Sequence, residues 1–163
     1  MNENEEELVL RTHHRRATTY IKEKKVAEAL QELKTALSIN PKDFTAYFMV
    51  AQIYFASKKF DEAERFCQQA IIVNPKDVRP WVIMGNIFIS RQQYDLAISQ
   101  LPMGLAIDSK NYQLKYLIGY SYAKKKDWAN AEKFLNEALQ IDPQNVQARN
   151  ALQVVQKAKA GGG

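Results

Sequence analysis

Val73-Asn74-Pro75-Lys76-Asp77 closes a 34-residue stretch that opens at Phe44. Ile39-Asn40-Pro41-Lys42-Asp43 stands 34 residues earlier. Ile107-Asp108-Ser109-Lys110-Asn111 and Ile141-Asp142-Pro143-Gln144-Asn145 follow at the same interval. A fixed period of this length marks stacked supersecondary units, so the repeat must be read before any single segment. The register predicts four units, 10–43, 44–77, 78–111 and 112–145, then a lone helix over 146–160. Residues 1–9 read as an acidic lead-in or an extra turn of the first helix, and 161–163 as a flexible tail.

Within each unit the apolar residues follow a helical rhythm. Tyr47, Val50, Ala51 and Tyr54 in the second unit, and Trp81, Met84, Gly85 and Phe88 in the third, are spaced to share one helical face. A turn is expected near Ser57-Lys58-Lys59 and near Ser90-Arg91-Gln92-Gln93. Second helices then run from about Asp61 to Val73 and from about Asp95 to Ile107, with the two acids favouring their helix N-termini. No segment alternates with period two, so no strand is expected. Small residues recur at Ala17, Ala51, Gly85 and Gly119; at Ala29, Ala63, Ala97 and Ala131; and at Ala36, Ala70, Gly104 and Ala138. Helix axes packed about 8–10 Å apart need small side chains at the contact. Tyr20, Tyr54, Phe88 and Tyr122 supply the adjoining bulk. Pro102, well inside the second helix of the third unit, predicts a kink or local break near Ile98–Leu101.

Composition sets outer bounds. The chain is 46% hydrophobic and 25% charged, the balance of a globular protein. It contains no apolar run of membrane-spanning length. The segment Met1-Asn2-Glu3-Asn4-Glu5-Glu6-Glu7 is acidic, unlike a secretion signal, and Cys67 is the single cysteine. A cytoplasmic setting is the expectation from both. Net charge is +5, and four of the acids lie in the first seven residues, so the remainder is distinctly basic.

The large aromatic of Tyr47 and Trp81, the small residue of Ala51, Gly85 and Gly119, the aromatic of Tyr54, Phe88 and Tyr122, the alanines 63, 97 and 131, and the prolines 41, 75 and 143 together resemble the tetratricopeptide repeat. The third unit matches well but has Ser109 for the proline. The first departs most, with His13 at the large-aromatic place and Arg16 at the leucine place. The resemblance covers residues 10–145 and implies an all-α, right-handed α-solenoid of four helix pairs closed by a capping helix. It also disfavours the related 35-residue RNA-reading repeats. Terminal units of such arrays need a polar outer face. Arg11, His13, His14, Arg15 and Arg16 suit that at one end, and Arg149, Asn150 and Gln153 at the other.

In that family the first helix of each repeat lines a concave groove. The positions carried over are His14 and Thr18; Phe48, Gln52 and Phe55; Val82, Asn86 and Ile89; and Tyr116 and Tyr120. Ile21, Ala123, Arg11, Thr45, Arg79 and Gln113 lie at their margins. The implied groove is apolar and aromatic, with two amides able to bond an extended backbone. Tyr116 and Tyr120 share a helical face and form its anchor, beside Asn86 and Ile89. The alternative is that both rings are buried by the helix 146–160, or that the face packs in cis. A carboxylate clamp of the chaperone-tail type is disfavoured, because His14, Thr18, Gln52, Val82 and Asn86 stand where its lysines and arginine are needed.

The turns carry a basic edge: Lys22, Lys24, Lys25, Lys58, Lys59, Arg91, Lys124, Lys125 and Lys126. A solvated rim is the simplest reading, and a docking strip for an acidic protein surface or an anionic membrane the sharper one. Nucleic acid is disfavoured, since the lysines are not interleaved with aromatics. No phosphate loop, nucleophile elbow or zinc motif occurs, so no enzyme, cofactor or metal is expected. Cys67 occupies an inward position shared with Leu33, Leu101 and Leu135, and adjacent His13 and His14 point ~100° apart on a helix. The resulting expectation is a non-enzymatic scaffold or adaptor holding a protein or peptide segment. The alternatives are a self-assembling subunit or homo-oligomer and, last, a basic RNA-associated repeat.

Overall fold

The structure is a computed structural model that describes residues 2–161. Met1, Gly162 and Gly163 lie outside the described residues, and with them most of the expected tail. Among the described residues every regular element is α-helical: α1 (Glu3–Lys22), α2 (Val26–Ile39), α3 (Phe44–Ala56), α4 (Phe60–Val73), α5 (Arg79–Ser90), α6 (Tyr94–Ile107), α7 (Tyr112–Lys124), α8 (Trp128–Ile141) and α9 (Val146–Ala160). The expected acidic lead-in is helix: α1 begins at Glu3 under a reciprocal capping box of Asn2 and Glu5.

The five-residue ruler is a piece of capping chemistry. Its first polar residue folds an Asx turn, with the Asn40, Asn74, Asp108 and Asp142 side chains accepting from the backbone N–H of Lys42, Lys76, Lys110 and Gln144. Its last residue caps the next helix, where Asp43, Asn111 and Asn145 accept from Ala46, Leu114 and Ala148. Asp77 accepts instead from the Arg79 N–H at 2.9 Å.

The turn inside each helix pair recurs as faithfully. Lys24, Lys58, Gln92 and Lys126 are left-handed, with φ between 57° and 61°. In each turn that residue's N–H returns to the carbonyl three residues back (Ile21, Phe55, Ile89, Ala123). The next N–H reaches the aromatic five back (Tyr20, Tyr54, Phe88, Tyr122). This is the paired closure of a Schellman motif, built here without glycine.

The chain forms two compact units that divide between Ile83 and Met84, inside α5. In the first, α1 pairs with α2 and α3 with α4. Its core is Leu10, Ala17, Ala29, Leu33, Ala36, Ala46, Val50 and Ile53, with Tyr20, Tyr54 and Phe66 packed against it. Cys67 is fully buried there, and burial pushes its thiol up to about 12, with Glu64 adding to the effect. In the second unit α7 packs on α6, α8 and α9. Ala131, Leu135 and Ala138 meet Ala148 and Val155 of α9, so the last helix covers an apolar face. The small residues are required by contact distance. A Cβ on Gly85 would lie 2.8 Å from Leu117 Cδ1, and one on Gly119 3.1 Å from the backbone nitrogen of Leu135.

Two expectations are corrected. The break near Ile98–Leu101 does not occur, and α6 runs uninterrupted through Pro102. The ring sits on the exposed side of the helix while Ala97, Leu101 and Gly104 are fully buried. The hydrogen bond that Pro102 cannot make therefore lies toward solvent, and core packing holds the helix together. At the N-terminus, Arg11, Arg15 and Arg16 are exposed as a polar cap requires, but His13 and His14 are not part of it. His13 Nδ1 is 2.6 Å from Glu32 of α2, and His14 Nε2 is 2.6 Å from Asp43 at the head of α3.

Candidate protein-interaction face

The first unit presents α3 and the start of α5. Phe44 and Phe48 lie one helical turn apart with parallel rings, centroids 5.9 Å apart. The Arg79 guanidinium lies over both, 5.2 Å from Phe44 and 4.8 Å from Phe48. Asp77 grips the same guanidinium through Nε and Nη2. That pairing holds the Asp77 carboxyl below its usual range and raises Arg79. The outcome is a flat, cation-topped aromatic platform with Arg79 more than half exposed. Gln52, one turn beyond Phe48, is exposed with Thr45 and Thr18. Phe55 is half-buried against Phe60, 5.9 Å away. Val82 is half-buried, and Ile21 stands 39% exposed. His14 does not offer a free ring here, because Asp43 already engages it.

The second unit presents an aromatic cluster. Tyr116 and Tyr120 meet at 5.9 Å with tilted rings, and Tyr94 at the head of α6 adds an edge contact to Tyr120 at 6.5 Å. The Lys124 ammonium lies 5.2 Å from the Tyr120 centroid. All three tyrosines are half-buried, as are Asn86 and Ile89 on α5. Tyr116 and Ala123 lean on the core that α9 closes, and burial, then the neighbouring Tyr120, raises the Tyr116 phenol. The two tyrosines therefore divide the alternatives between them: Tyr116 has a packing role, and Tyr120 is held by aromatic and cationic neighbours.

Phe44 and Tyr94 were not among the sequence candidates. Tyr94 opens the second helix of its pair, at the register place of Val26, Phe60 and Trp128. That recurrence of bulk was the available signal. The lysine turns are only partly free. Lys25 pairs with Glu23 at 2.7 Å and Lys125 with Asp95 at 3.0 Å, and Lys59 lies 5.9 Å from the Tyr54 ring. Among the described residues no cluster of three or more His, Cys, Asp or Glu is placed to hold a metal, and no helix is long and apolar enough to cross a membrane.

Two sequence models of the tetratricopeptide repeat match the chain, over residues 20–87 and 112–145, together more than half of it. The chain is a tetratricopeptide repeat protein. Its fold class is accordingly the all-α solenoid of that family. Solved tetratricopeptide repeat structures agree at the level of fold. MamA superposes with a TM-score of 0.82 at 13% identity, covering 93% of this chain and 83% of that one. The Pseudomonas aeruginosa PilF structure gives 0.83 at 13%, covering 96% and 71%. YrrB, described as a repeat protein with an unusual peptide-binding site, gives 0.72 at 17%, covering 88% and 74%. No curated protein sequence matches this tetratricopeptide repeat protein.

Proposed function

We propose that this protein is a non-enzymatic adaptor that holds a segment of another protein against the first helices of its repeats, read as 10–43, 44–77, 78–111 and 112–145 with 146–160 as the cap. The carrying observation is the Tyr94–Tyr120–Tyr116 cluster under Lys124, a half-open aromatic surface on a helix whose opposite side is fully engaged in the core. Half-buried tyrosines bring large area and a polar tip at low entropic cost, which is why they dominate binding hot spots. The Phe44–Phe48–Arg79 platform supplies a second contact of the same kind, with Gln52 beside it for an extended backbone. Peptide binding by YrrB supports the reading by analogy only.

The test is capture of partners from extract by the intact protein, by Tyr120→Ala and by Phe48→Ala. Tyr120→Ala is expected to lose the captured protein, by ~10-fold or more in affinity, while the helical signal and melting temperature stay near those of the parent. Equal capture by all three proteins would sink the proposal. So would an early-melting Tyr120→Ala, because the ring would then be a core residue.

A further inference from the structure

The outer faces of the second helices differ in one case. On α4 the solvent side is Asp61, Arg65, Gln68, Gln69 and Ile72; on α8 it includes Asn130, Lys133, Asn136 and Gln140. On α6 it is Asp95, Leu96, Ser99, Pro102, Met103, Ala106 and Ile107. These residues recur with the helical period, so they form one stripe. Asp95 is the single charged residue in the helix, and it is paired with Lys125. Met103 is 58% exposed, Leu96 38% and Ile107 37%. Apolar residues on both faces of a helix usually mean burial, yet this one leaves Leu96, Pro102, Met103, Ala106 and Ile107 in water, broken only by Asp95 and Ser99. Pro102 adds to the effect, because its missing N–H leaves the Ile98 carbonyl beside the stripe without its usual intrahelical donor.

Charge brackets the stripe at both ends. The Asp95–Lys125 pair brings the Lys124-Lys125-Lys126 turn to the head of α6 and is itself neutral; Lys124 lies over Tyr120, which leaves Lys126 as the net cation there. Exposed Lys110 stands three residues beyond the other end, and the intervening Asp108 carboxylate is turned into the loop, where it accepts from the Lys110 N–H and the Asn111 side-chain amide. We propose that the outer face of α6 is a second docking surface, separate from the tyrosine face, and that its occupant is an amphipathic helix of another protein with acidic residues flanking its apolar stripe. Charge complementarity selects this occupant. A second copy of the chain would bring its own net charge of +5 against the same lysines. An apolar helix laid along α6 gains its affinity from Leu96, Met103 and Ile107, and its direction from the lysines at either end.

The probe is a pair of synthetic helical peptides of ~18 residues, long enough to span α6, sharing one leucine stripe and differing only in glutamate or lysine flanks. Binding is read by fluorescence anisotropy at low and high salt. The glutamate-flanked peptide is expected to bind, and the lysine-flanked one to bind ~10-fold or more weakly, with the gap closing as salt screens the flanks. Met103→Glu should abolish binding, and Lys110→Glu should weaken only the glutamate-flanked peptide. Met103 is exposed, so circular dichroism and melting should match the parent for both variants. Tyr120→Ala should bind the probe normally, which keeps this surface distinct from the tyrosine face. Unchanged binding by Met103→Glu, equal binding of the two peptides, or no binding of either overturns the proposal. Binding to phosphatidylglycerol vesicles with none to the peptides would also overturn it, in favour of a lipid surface.

Discussion

Lys24, Lys58 and Lys126 spend conformational energy that glycine would not. Each sits near φ 60°, where a Cβ crowds the following carbonyl. Lys58→Gly or Lys126→Gly is therefore expected to stabilise the protein by about 1 kcal/mol, read as a rise in melting temperature. A fall would mean that the lysine stem contributes packing that the strain conceals. Cys67 carries a pH dependence of known sign. Its folded-state pKa of about 12 lies above the unfolded value, so burial favours the neutral thiol. That contribution is complete below the unfolded pKa of about 8.5 and declines by roughly 1.4 kcal/mol per pH unit above it, until the folded value is reached. The stability difference between the parent and Cys67→Ala should shrink over that interval and stay flat below it. Alkylation of Cys67 at neutral pH should proceed only as fast as the protein opens. Residue-level features of this kind were the least legible in the sequence. A left-handed lysine has no composition signal, and the partners of His13 and His14 lie 19 and 29 residues away.

At the scale of the helix, the period and the apolar rhythm were legible because they are backbone-spaced properties. Ala17, Ala51, Ala63, Gly85, Gly119 and their counterparts all fall in the core. Gly119 makes the strongest case. An added methyl would meet the Leu135 backbone nitrogen, which cannot rotate away, together with Leu135 Cγ at 2.9 Å and Phe134 Cβ at 3.1 Å. Gly119→Ala is expected to cost about 1–3 kcal/mol despite alanine's better helix propensity. A stabilised variant in chemical denaturation would show that α7 and α8 can separate freely. Pro102 was misread because its cost was assigned without knowing which side of α6 it occupied. Its ring faces solvent, so Pro102→Ala should restore one backbone bond and raise stability by about 1–3 kcal/mol without changing helix content. The tyrosine cluster was half legible. Tyr116 and Tyr120 were found from spacing on one helix, whereas Tyr94 comes from another and needed the packing of α6 on α7.

At the scale of the molecule, the repeat position held by Tyr47 and Trp81 in the middle pairs carries His13 in the first and Lys115 in the fourth, so its contact there is polar, although Tyr122 and Phe134 still stack inside the fourth pair. Tyr47 meets Phe66 at 6.2 Å in the second pair, while His13 meets Glu32 in the first and Lys115 bonds Glu137 in the fourth. Those two pairs should open before the middle ones, as in repeat arrays whose stability is a sum of local terms. Amide hydrogen exchange should show weaker protection in α1, α2, α7 and α8 than in α3 to α6, and uniform protection along the chain would refute the expectation.

The Asx turn and N-cap that join one pair to the next also govern how such a chain can grow. Each seam ends in Asp or Asn, preceded by lysine or glutamine and followed by a large apolar residue. Cutting at two seams and rejoining restores the same junction, with every capping side chain in place. A cut one residue out of phase puts Lys42 or Phe44 where Asp43 must cap, and the helix head loses its acceptor. Chain length is thereby quantised. Duplication or loss of whole helix pairs is nearly silent to the fold, whereas a single inserted residue at a seam is not.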